Sequence, residues 1–284
     1  AEKQKIQEDL IILAEPEPKH TTAPIILSCH MLELLVPQKE HSVLVLTSDH
    51  IIKPVENFVT DCEEAYKAAA TDKFVCFAIP PTEASTGYGY IKTGNSITPK
   101  TYKIDTFKEK PDQKTANEYF ASGKYFWNSG MFGFTSQFLK SELKKCEPEV
   151  SQAFECVSTG KAPELSKIHD IFYISQWQEM EEAYKKTPKI AIDNAIAEKT
   201  KNAYAVSTSF NWDDVGSWDA FSKFAEGNEN VIAKAESENC FVYSDIPVAL
   251  CDVQDLIVVI KNGKALIMKK GSSNLVRDVV KSIN

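Results

Sequence analysis

The stretch VLVLTSDH, residues 43–50, is the part of the sequence that decides the fold. It opens with five apolar or β-branched residues in a row, a pattern typical of a strand buried on both faces of a parallel sheet. Asp49 follows at the carboxyl end of that strand, where open α/β sheets bind their ligands. A carboxylate at this place could hold a divalent cation against phosphates, and an Asp that simply forms a turn is an equal alternative.

The neighbouring residues predict a strand–helix–strand unit. Pro54 opens a helix across ENFVTDCEEAYKAAA (56–70), and KFVCFAIP (73–80) is a second strand of the buried type. A unit of this length favours a parallel pair of strands with a right-handed crossover. Upstream, PIILSCHMLELL (24–35) has the apolar spacing of a helix. The sequence therefore predicts an α/β fold with a mixed, mostly parallel sheet.

The rest of the chain divides into a helical part and a part rich in short strands. Helical patterns dominate residues 135–199, whereas five short strands at even spacing and a last helix are predicted after residue 231. The change at EGNEN (226–230) predicts a boundary that separates a core, residues 1–228, from a small β-rich region, residues 229–284. Before the helical part, strands are predicted in GYGYIK (87–92), TYKIDTFKEK (101–110) and YFWNSGMFGF (125–134).

Charge and composition exclude several classes of protein. The chain has 284 residues and a formal net charge of −8, which argues against a nucleic-acid-binding surface. Its apolar runs are shorter than the ~20 residues needed to span a bilayer, so no membrane partner is expected. The seven cysteines are scattered and form no CxxC pair, which is the pattern of free thiols in a reducing cytoplasm.

Two glycines and a charged strand end give the first candidate binding motifs. Gly87, Tyr88 and Gly89 place glycines on both sides of a tyrosine, and glycine lets a ligand approach the backbone closely. A plain β-turn is the alternative. Glu109 and Lys110 end a predicted strand, where they could hold a sugar hydroxyl and a phosphate, and an exposed charged turn explains them equally well.

Polar residues inside an apolar strand give a further motif. Asn128, Ser129 and Gly130 interrupt YFWNSGMFGF, and buried polar side chains are costly unless they are paired. Either a structural hydrogen bond or a bound polar ligand could supply the partner.

Aspartates complete the set of candidates. Asp193 has Glu198 and Lys199 about one helical turn or more beyond it, and the alternative to a binding role is a helix N-cap with a solvated charged pair. Asp213 and Asp214 lie between two tryptophans, in a bulky and poorly hydrated turn that is unusual for a surface loop. Asp49 and Asp214 together would make a two-carboxylate site for Mg²⁺.

Taken in order, these segments resemble the mannose-1-phosphate guanylyltransferases, a branch of the sugar-nucleotide nucleotidyltransferases. Collinear order over nearly the whole chain is more specific than any one segment. The resemblance implies a Rossmann-like nucleotidyltransferase core with a small, β-helix-like C-terminal region. The matching segments are EPEPKHTTAP (15–24), LVLTSDH (44–50), TGYGYIK (86–92), FKEKPD (107–112), YFWNSGMF (125–132), AIDNAIAEKT (191–200) and NWDDVGSW (211–218).

The resemblance also implies a reaction and its residues. GMP is transferred from GTP to mannose 1-phosphate, pyrophosphate is released, and Mg²⁺ is the implied cofactor. Asp49 and Asp214 match the family's metal ligands, and Lys110 lies near the implied phosphate position. The implied substrate-binding residues are Thr21, Thr22, Ala23 and Pro24 near the nucleotide base, Gly89, Glu109, Asn128 and Asp193 in the sugar-phosphate pocket, and Gly87, Tyr88, Ser129 and Gly130 beside them.

Two departures from the family pattern bear on activity. The Gly-rich signature GGxGxRLWPLS, whose backbone N–H groups and arginine bind the triphosphate, is not in this sequence, and the resemblance places it upstream of residue 1. We therefore expect weak or no turnover from these 284 residues alone. In addition, His20 and Thr21 stand where the family has Arg-Asn before Thr-Ala-Pro.

Other functions stay open at this point. A catalytically silent, sugar-nucleotide-binding paralogue or regulatory subunit would keep the sugar pocket without the triphosphate loop. A related sugar-1-phosphate nucleotidyltransferase would use a different hexose, because the position of one hydroxyl is decided by geometry. The sequence also leaves the oligomeric state open, with a homodimer as the candidate assembly.

Overall fold

The structure is a computed structural model that describes residues 10–37, 40–169, 171–228 and 230–283. The contacts within the chain divide it into two compact units. One comprises the chain up to Thr47 together with Lys53–Asn211, and the other comprises Ser48–Ile52 together with Trp212–Asn284. The boundary predicted between residues 228 and 229 therefore falls inside the second unit.

Helices and strands are interspersed along the described chain as far as residue 213. The helix Gln113–Ser122 is capped at both ends: it starts where the Asp112 carboxylate accepts the Thr115 N–H at 2.8 Å, and it ends at Gly123, with φ +63°. In chain order the elements are β1 (Leu10–Ile12), α1 (Thr22–Leu35), β2 (Ser42–Val45), β3 (Ile51–Lys53), α2 (Val55–Ala69), β4 (Phe74–Ile79), β5 (Tyr90–Ser96), β6 (Thr101–Lys108), α3 (Gln113–Ser122), β7 (Tyr125–Thr135), α4 (Ser136–Cys146), α5 (Pro148–Ala153), α6 (Glu155–Thr159), β8 (Glu164–Ile168), β9 (Ile171–Gln176), α7 (Gln178–Lys186), the π-helix Asp193–Ala197, β10 (Ala203–Ser207) and β11 (Asn211–Asp213).

The main sheet of the first unit has six strands in the order β2-β7-β4-β10-β6-β5. Strands β4 and β10 run parallel, and the other pairings in this sheet, including an additional one between β7 and β5, are antiparallel. The predicted mixed sheet is confirmed, but the prediction that it is mostly parallel is wrong. Strands β2 and β4 do not pair with each other because β7 lies between them, antiparallel to both. A long apolar run indicates that a strand is buried on both faces. An antiparallel strand that is covered on both faces has the same pattern, so the run does not indicate strand direction.

Strand β4 forms the centre of the core, and all six of its residues are buried. Phe74 contacts two aromatic rings of β7, with ring centroids 5.0 Å from Phe132 and 5.8 Å from Phe134. Each aromatic pair of this kind contributes about 0.5–1.5 kcal/mol beyond its buried area. Asn128, Ser129 and Gly130 lie on the same strand, β7, shortly before Phe132. The packing of Phe132 and Phe134 in the core therefore fixes the backbone that carries these three residues.

The helical region predicted for residues 135–199 also contains a hairpin that the sequence pattern did not predict. Strands β8 and β9 pair antiparallel, and β1 adds to β9 in parallel. The sequence of β9, IFYISQ, is rich in β-branched and aromatic residues, which favour a strand. The helical periodicity of the residues around it favours a helix instead.

The second unit contains the predicted short strands and terminal helix. Strands two apart in the sequence pair in parallel, β12 with β14 and β13 with β15, and β16 closes antiparallel on β15. This pairing agrees with a β-helix-like region, which stays a prediction. Its elements are α8 (Trp218–Phe224), β12 (Val231–Ala235), β13 (Phe241–Ser244), β14 (Val248–Cys251), β15 (Leu256–Lys261), β16 (Lys264–Lys269), the 3₁₀-helix Ser273–Leu275 and α9 (Val276–Ile283).

No helix in the described part of the chain has the length and apolar character that a bilayer crossing requires.

Candidate active site

Glu109 follows the end of β6 and places a carboxylate in the interior of the first unit. Its backbone N–H donates a 3.0 Å hydrogen bond to Oε1 of Glu198, and its own Oε1 lies 2.9 Å from Nζ of Lys110. The other oxygen, Oε2, is buried and has no hydrogen-bond partner among the described residues. A buried acceptor without a partner costs about 1–3 kcal/mol, so this oxygen is suited to a ligand donor.

Gly89 lies against this unpaired carboxylate oxygen. A Cβ added to Gly89 would come within 2.5 Å of Glu109 Oε2, and within 3.3 Å of Cζ of Phe107. The Glu109 carboxylate can therefore lie against the Gly89 backbone only because this residue has no side chain.

Asn128 joins the Gly89 backbone to a second carboxylate. Its backbone N–H donates to the carbonyl oxygen of Gly89 at 2.7 Å, and its Nδ2 donates to Oδ1 of Asp193 at 2.9 Å. Asn128 is only 6% exposed. These hydrogen bonds therefore supply the partners that a buried polar residue in an apolar strand needs.

A bulge in β7 explains why polar residues are tolerated there. Cys76 pairs with Phe132 but Ala78 pairs with Asn128, so β7 uses two more residues than β4 over the same length of ladder. Within the bulge, Oγ of Ser129 accepts the Met131 N–H at 3.2 Å, and Oδ1 of Asn128 accepts the Gly130 N–H at 3.3 Å. Gly130 adopts φ +73°, a left-handed conformation that glycine permits.

Asp193 is the first residue of the π-helix, and its titration is perturbed. Burial, together with the nearby Glu109 carboxylate, raises the pKa of this carboxyl from 3.8 to about 6, although Lys110 and the Asn128 amide act in the opposite direction. A carboxyl with a pKa close to neutrality can accept or donate a hydrogen bond to a ligand.

The start of α1 is fastened to the segment that leads into Asp193. Oγ1 of Thr21 accepts the Ile192 N–H at 2.9 Å, and the Thr22 N–H donates to the Ile190 carbonyl at 3.3 Å. Thr21 thus occupies the N-cap position of α1, but its hydroxyl accepts the Ile192 N–H and makes no capping hydrogen bond to α1. Oγ1 of Thr22 is buried without a hydrogen-bond partner among the described residues.

The other residues predicted around the pocket have local partners. The Gly87 N–H donates to Oγ of Ser85 at 3.1 Å, and the Tyr88 ring packs 4.8 Å from the Trp127 ring. In α1, Ala23 is buried and the Pro24 carbonyl accepts the Ser28 hydroxyl at 2.8 Å. The binding roles of these residues stay predictions.

The second unit brings Asp49 and Asp214 to a common neighbour, His50. Nε1 of Trp212 donates to Nδ1 of His50 at 2.9 Å, which fixes the ring. Burial lowers the pKa of His50, whereas the carboxylates of Asp49, Asp214 and Asp213 each act to raise it. Both predicted metal ligands therefore lie within electrostatic range of one imidazole.

The turn after Asp214 orients its carboxylate. Oδ1 of Asp214 accepts the Gly216 N–H at 3.2 Å, and Oδ1 of Asp213 accepts the Val215 N–H at 2.9 Å. In the described residues, no group of three or more His, Cys, Asp or Glu side chains could hold a metal ion. Mg²⁺ is commonly held by one or two carboxylates together with water and substrate phosphates, so a pair of carboxylates fits this ion.

Sequence reasoning missed Glu198. It was interpreted as part of a solvated pair, but Oε1 accepts the Glu109 N–H and Oε2 accepts Nδ2 of Asn194 at 3.0 Å. Its position directly after the π-helix brings it back to Asp193, whose carbonyl accepts the Glu198 N–H at 2.9 Å. The five-residue spacing was visible, but a π-helical turn cannot be read from it.

Comparison with known proteins identifies the family of this chain. The family model described as nucleotidyl transferase matches residues 1–230, and the chain belongs to this family. The mannose-1-phosphate guanylyltransferase RfbM of Salmonella typhimurium is 33% identical over 95% of this chain and 56% of its own length. The mannose-1-phosphate guanylyltransferase of Escherichia coli K12 is 32% identical over 98% of this chain and 58% of its own length.

A solved structure gives the same result for the fold. The crystal structure titled mannose-1-phosphate geranyltransferase from Thermus thermophilus has a TM-score of 0.77 and 29% identity over 95% of this chain and 76% of its own. The α/β nucleotidyltransferase fold with a mixed sheet is thereby established. The chain spans somewhat more than half the length of the two curated relatives.

Proposed function

We propose that the protein transfers GMP from GTP to mannose 1-phosphate, giving GDP-mannose and pyrophosphate. The names of its curated relatives support this reaction, as does the order of the matching motifs. The observation that carries the proposal is the unpaired Oε2 of Glu109 beside the Gly89 backbone, next to the Asn128–Asp193 hydrogen bond.

In this proposal the first unit binds the sugar phosphate. Oε2 of Glu109 accepts hydrogen bonds from sugar hydroxyls, and the glycine at position 89 leaves room beside the backbone for this carboxylate. Asp193 binds a further hydroxyl, with its carboxylate oriented by Asn128. The ammonium group of Lys110, which is 63% exposed, is the cation near the sugar phosphate.

The second unit supplies the proposed metal ligands, Asp49 and Asp214. Bound Mg²⁺ would neutralise negative charge on the triphosphate. The two carboxylates contribute charge and oxygen ligands, and the turn that holds Asp214 fixes one of them in place before the ligand arrives.

The chemistry needs no covalent bond to the protein. A phosphate oxygen of mannose 1-phosphate attacks the α-phosphorus of GTP, the bond to the bridging oxygen breaks, and pyrophosphate leaves. The protein residues bind and orient the two substrates, so catalysis rests on position and electrostatics.

Location and assembly follow as parts of the proposal. All seven cysteines are free thiols, which suits the reducing cytoplasm, where GTP is available. A homodimer with a β-helix-like C-terminal region is the assembly we propose.

Calorimetric titration of the chain with GDP-mannose tests the sugar pocket. Wild-type protein should bind GDP-mannose more tightly than UDP-glucose, and Glu109→Gln should weaken binding about tenfold or more because a charge-assisted acceptor is lost. Glu118→Gln, the same change on an exposed position of α3, should leave the affinity unchanged. Absence of GDP-mannose binding, or equal binding of UDP-glucose, would overturn the proposed substrate. Pyrophosphate release with mannose 1-phosphate, compared with glucose 1-phosphate, then reports on transfer itself.

A further inference from the structure

A cavity of about 350 Å³ opens in the first unit among α1, α4, α5 and α6. Small-molecule sites typically occupy roughly 300–1,000 Å³ and combine an apolar floor with a few convergent polar groups. None of the proposed substrate-binding or metal-binding residues lines this cavity.

The walls of the cavity are two polar helix faces. The lining residues on α4 recur three or four positions apart, so they share one side of that helix, and those of α5 and α6 do the same. The polar residues are Gln137, Lys140, Ser141 and Lys144 on one wall, and Ser151, Glu155 and Ser158 on the other.

His30 and Phe154 form an aromatic floor. Their rings are nearly parallel, with an interplanar angle of 9° and centroids 6.3 Å apart. His30 is only 6% exposed, and its Nδ1 has no hydrogen-bond partner among the described residues. Burial, with help from the Lys140 ammonium group, lowers the pKa of His30 to about 4, so the imidazole is neutral at pH 7. A buried ring nitrogen without a hydrogen-bond partner is uncommon in proteins.

The two lysines in the cavity differ in their ion pairing. Lys140 is paired with the carboxylate of Glu33, which also accepts the Ser136 hydroxyl at 3.0 Å. Lys144 lies one turn further along α4 and forms no ion pair with the described residues. The hydroxyls of Ser141 and Ser158 donate to backbone carbonyls of their own helices. The cavity therefore offers one uncommitted cation, the Ser151 hydroxyl and the Gln137 amide as donors, and one carboxylate, Glu155.

We propose that this cavity is a binding site for a small phosphorylated metabolite. The phosphate lies against Lys144 and the Ser151 hydroxyl, and the organic part lies over His30 and Phe154, with Glu155 accepting from a hydroxyl or amino group. The proposal does not depend on the proposed transferase activity.

The test must resolve the two sites because α1 reaches both. The helix carries His30 eight residues after Thr22, a separation of roughly 12 Å at the helical rise, and phosphate-bearing probes can also enter the sugar pocket. Titrations followed by ¹H–¹⁵N NMR, with inorganic phosphate and with AMP as the probes, give that resolution.

Saturable shifts should appear at the amides of Ser141, Lys144 and Ser158, and AMP should bind more tightly than phosphate. Lys144→Glu should weaken AMP binding about tenfold, since it replaces the cation with a negative charge that repels the phosphate. Lys186→Glu is the matched control, because Lys186 is also an exposed lysine in the last turn of a helix, α7. It should bind as wild type does.

Several results would overturn the proposal. Shifts confined to Gly89, Glu109 and their neighbours would assign the probes to the sugar pocket. Undiminished AMP affinity in Lys144→Glu, whose unchanged remaining spectrum shows that it folds, would remove the phosphate role of this lysine. Equal affinities for phosphate and AMP would remove the role of the aromatic floor.

Discussion

The amide of Asn128 donates a 2.9 Å hydrogen bond to the carboxylate of Asp193, which lies 65 residues further along the chain. The same asparagine binds the Gly89 carbonyl through its backbone N–H at 2.7 Å. One residue of the β7 bulge thus fixes a strand start and a π-helix relative to each other. Three separate motifs become one pocket through this residue.

Asn128→Ala should therefore impair binding more than it impairs folding. The substitution leaves the Asp193 carboxylate without its amide donor, at a cost of about 1–3 kcal/mol in GDP-mannose affinity. Calorimetry measures that affinity, and urea unfolding measures the stability. Asn95→Ala, an exposed asparagine on β5, is the control and should alter neither. Equal losses of affinity in the two variants would remove Asn128 from the pocket.

Gly89→Ala should abolish binding of the sugar nucleotide. A methyl group at this position would lie 2.5 Å from Oε2 of Glu109, so the carboxylate must move away from the place where it meets the sugar. Gly87→Ala is the matched control, because its added Cβ would meet Oγ of Ser85 at an ordinary 3.4 Å. We expect Gly87→Ala to bind normally if the turn alternative for Gly87 is correct. Normal GDP-mannose affinity in Gly89→Ala would show that the sugar lies elsewhere.

Asp193 should make the stability of the protein depend on pH in a defined direction. Its pKa is raised to about 6 in the folded protein, so the folded state holds this proton more tightly than the unfolded chain does. The resulting stabilisation is complete below the unfolded pKa near 3.8 and is lost as the pH rises through about 6. The difference amounts to at most about 3 kcal/mol.

Urea unfolding of wild type and Asp193→Asn between pH 4 and 7 measures this contribution. The stability of the wild type relative to the variant should fall as the pH rises, because the asparagine keeps the acceptor for Asn128 but does not titrate. Asp72→Asn, at an exposed position outside the pocket, should keep the wild-type profile. Parallel profiles for wild type and Asp193→Asn would contradict the raised pKa.

Asp214→Asn should weaken Mg²⁺-dependent binding of GTP by about tenfold or more, because an amide is a poor ligand for a hard cation. Asp213→Asn is a close control, since each aspartate accepts a backbone N–H two residues ahead and an asparagine keeps that acceptor. Calorimetry with GTP, in the presence of Mg²⁺ or of EDTA, measures the difference. Similar losses in both variants would argue against a specific metal ligand at Asp214.

Much of the fold was predictable because the apolar runs are unambiguous. Strand β4 lies within the predicted KFVCFAIP, and α2 begins directly after Pro54. Strand direction in the sheet was not predictable, because β7 enters between β2 and β4 from residues 125–135 and no local pattern encodes that insertion. The bulge in β7 escaped prediction for the same reason, since register depends on the partner strand.

The candidate pocket was predictable residue by residue but not in its connections. Glu109, Asn128 and Asp193 were named from the sequence, and the structure brings them together with Gly89. The role of Glu198 depends on a π-helix, which has no reliable sequence pattern. His30 gave no signal at all, because its unpaired nitrogen is a property of the packing around it.

The two additional residues in β7 have a consequence for how such a protein can diversify. The ladder with β4 is closed by Ala78 and Cys76 on either side of them, so the sheet does not depend on cross-strand pairing at Ser129 and Gly130. Gly130 is held by its φ of +73°, so in the proposed pocket we expect Ser129 to be the position where an exchange changes ligand preference while the surrounding strands keep their alignment. Selection can therefore try new chemistry at this point in the chain without first having to rebuild the scaffold.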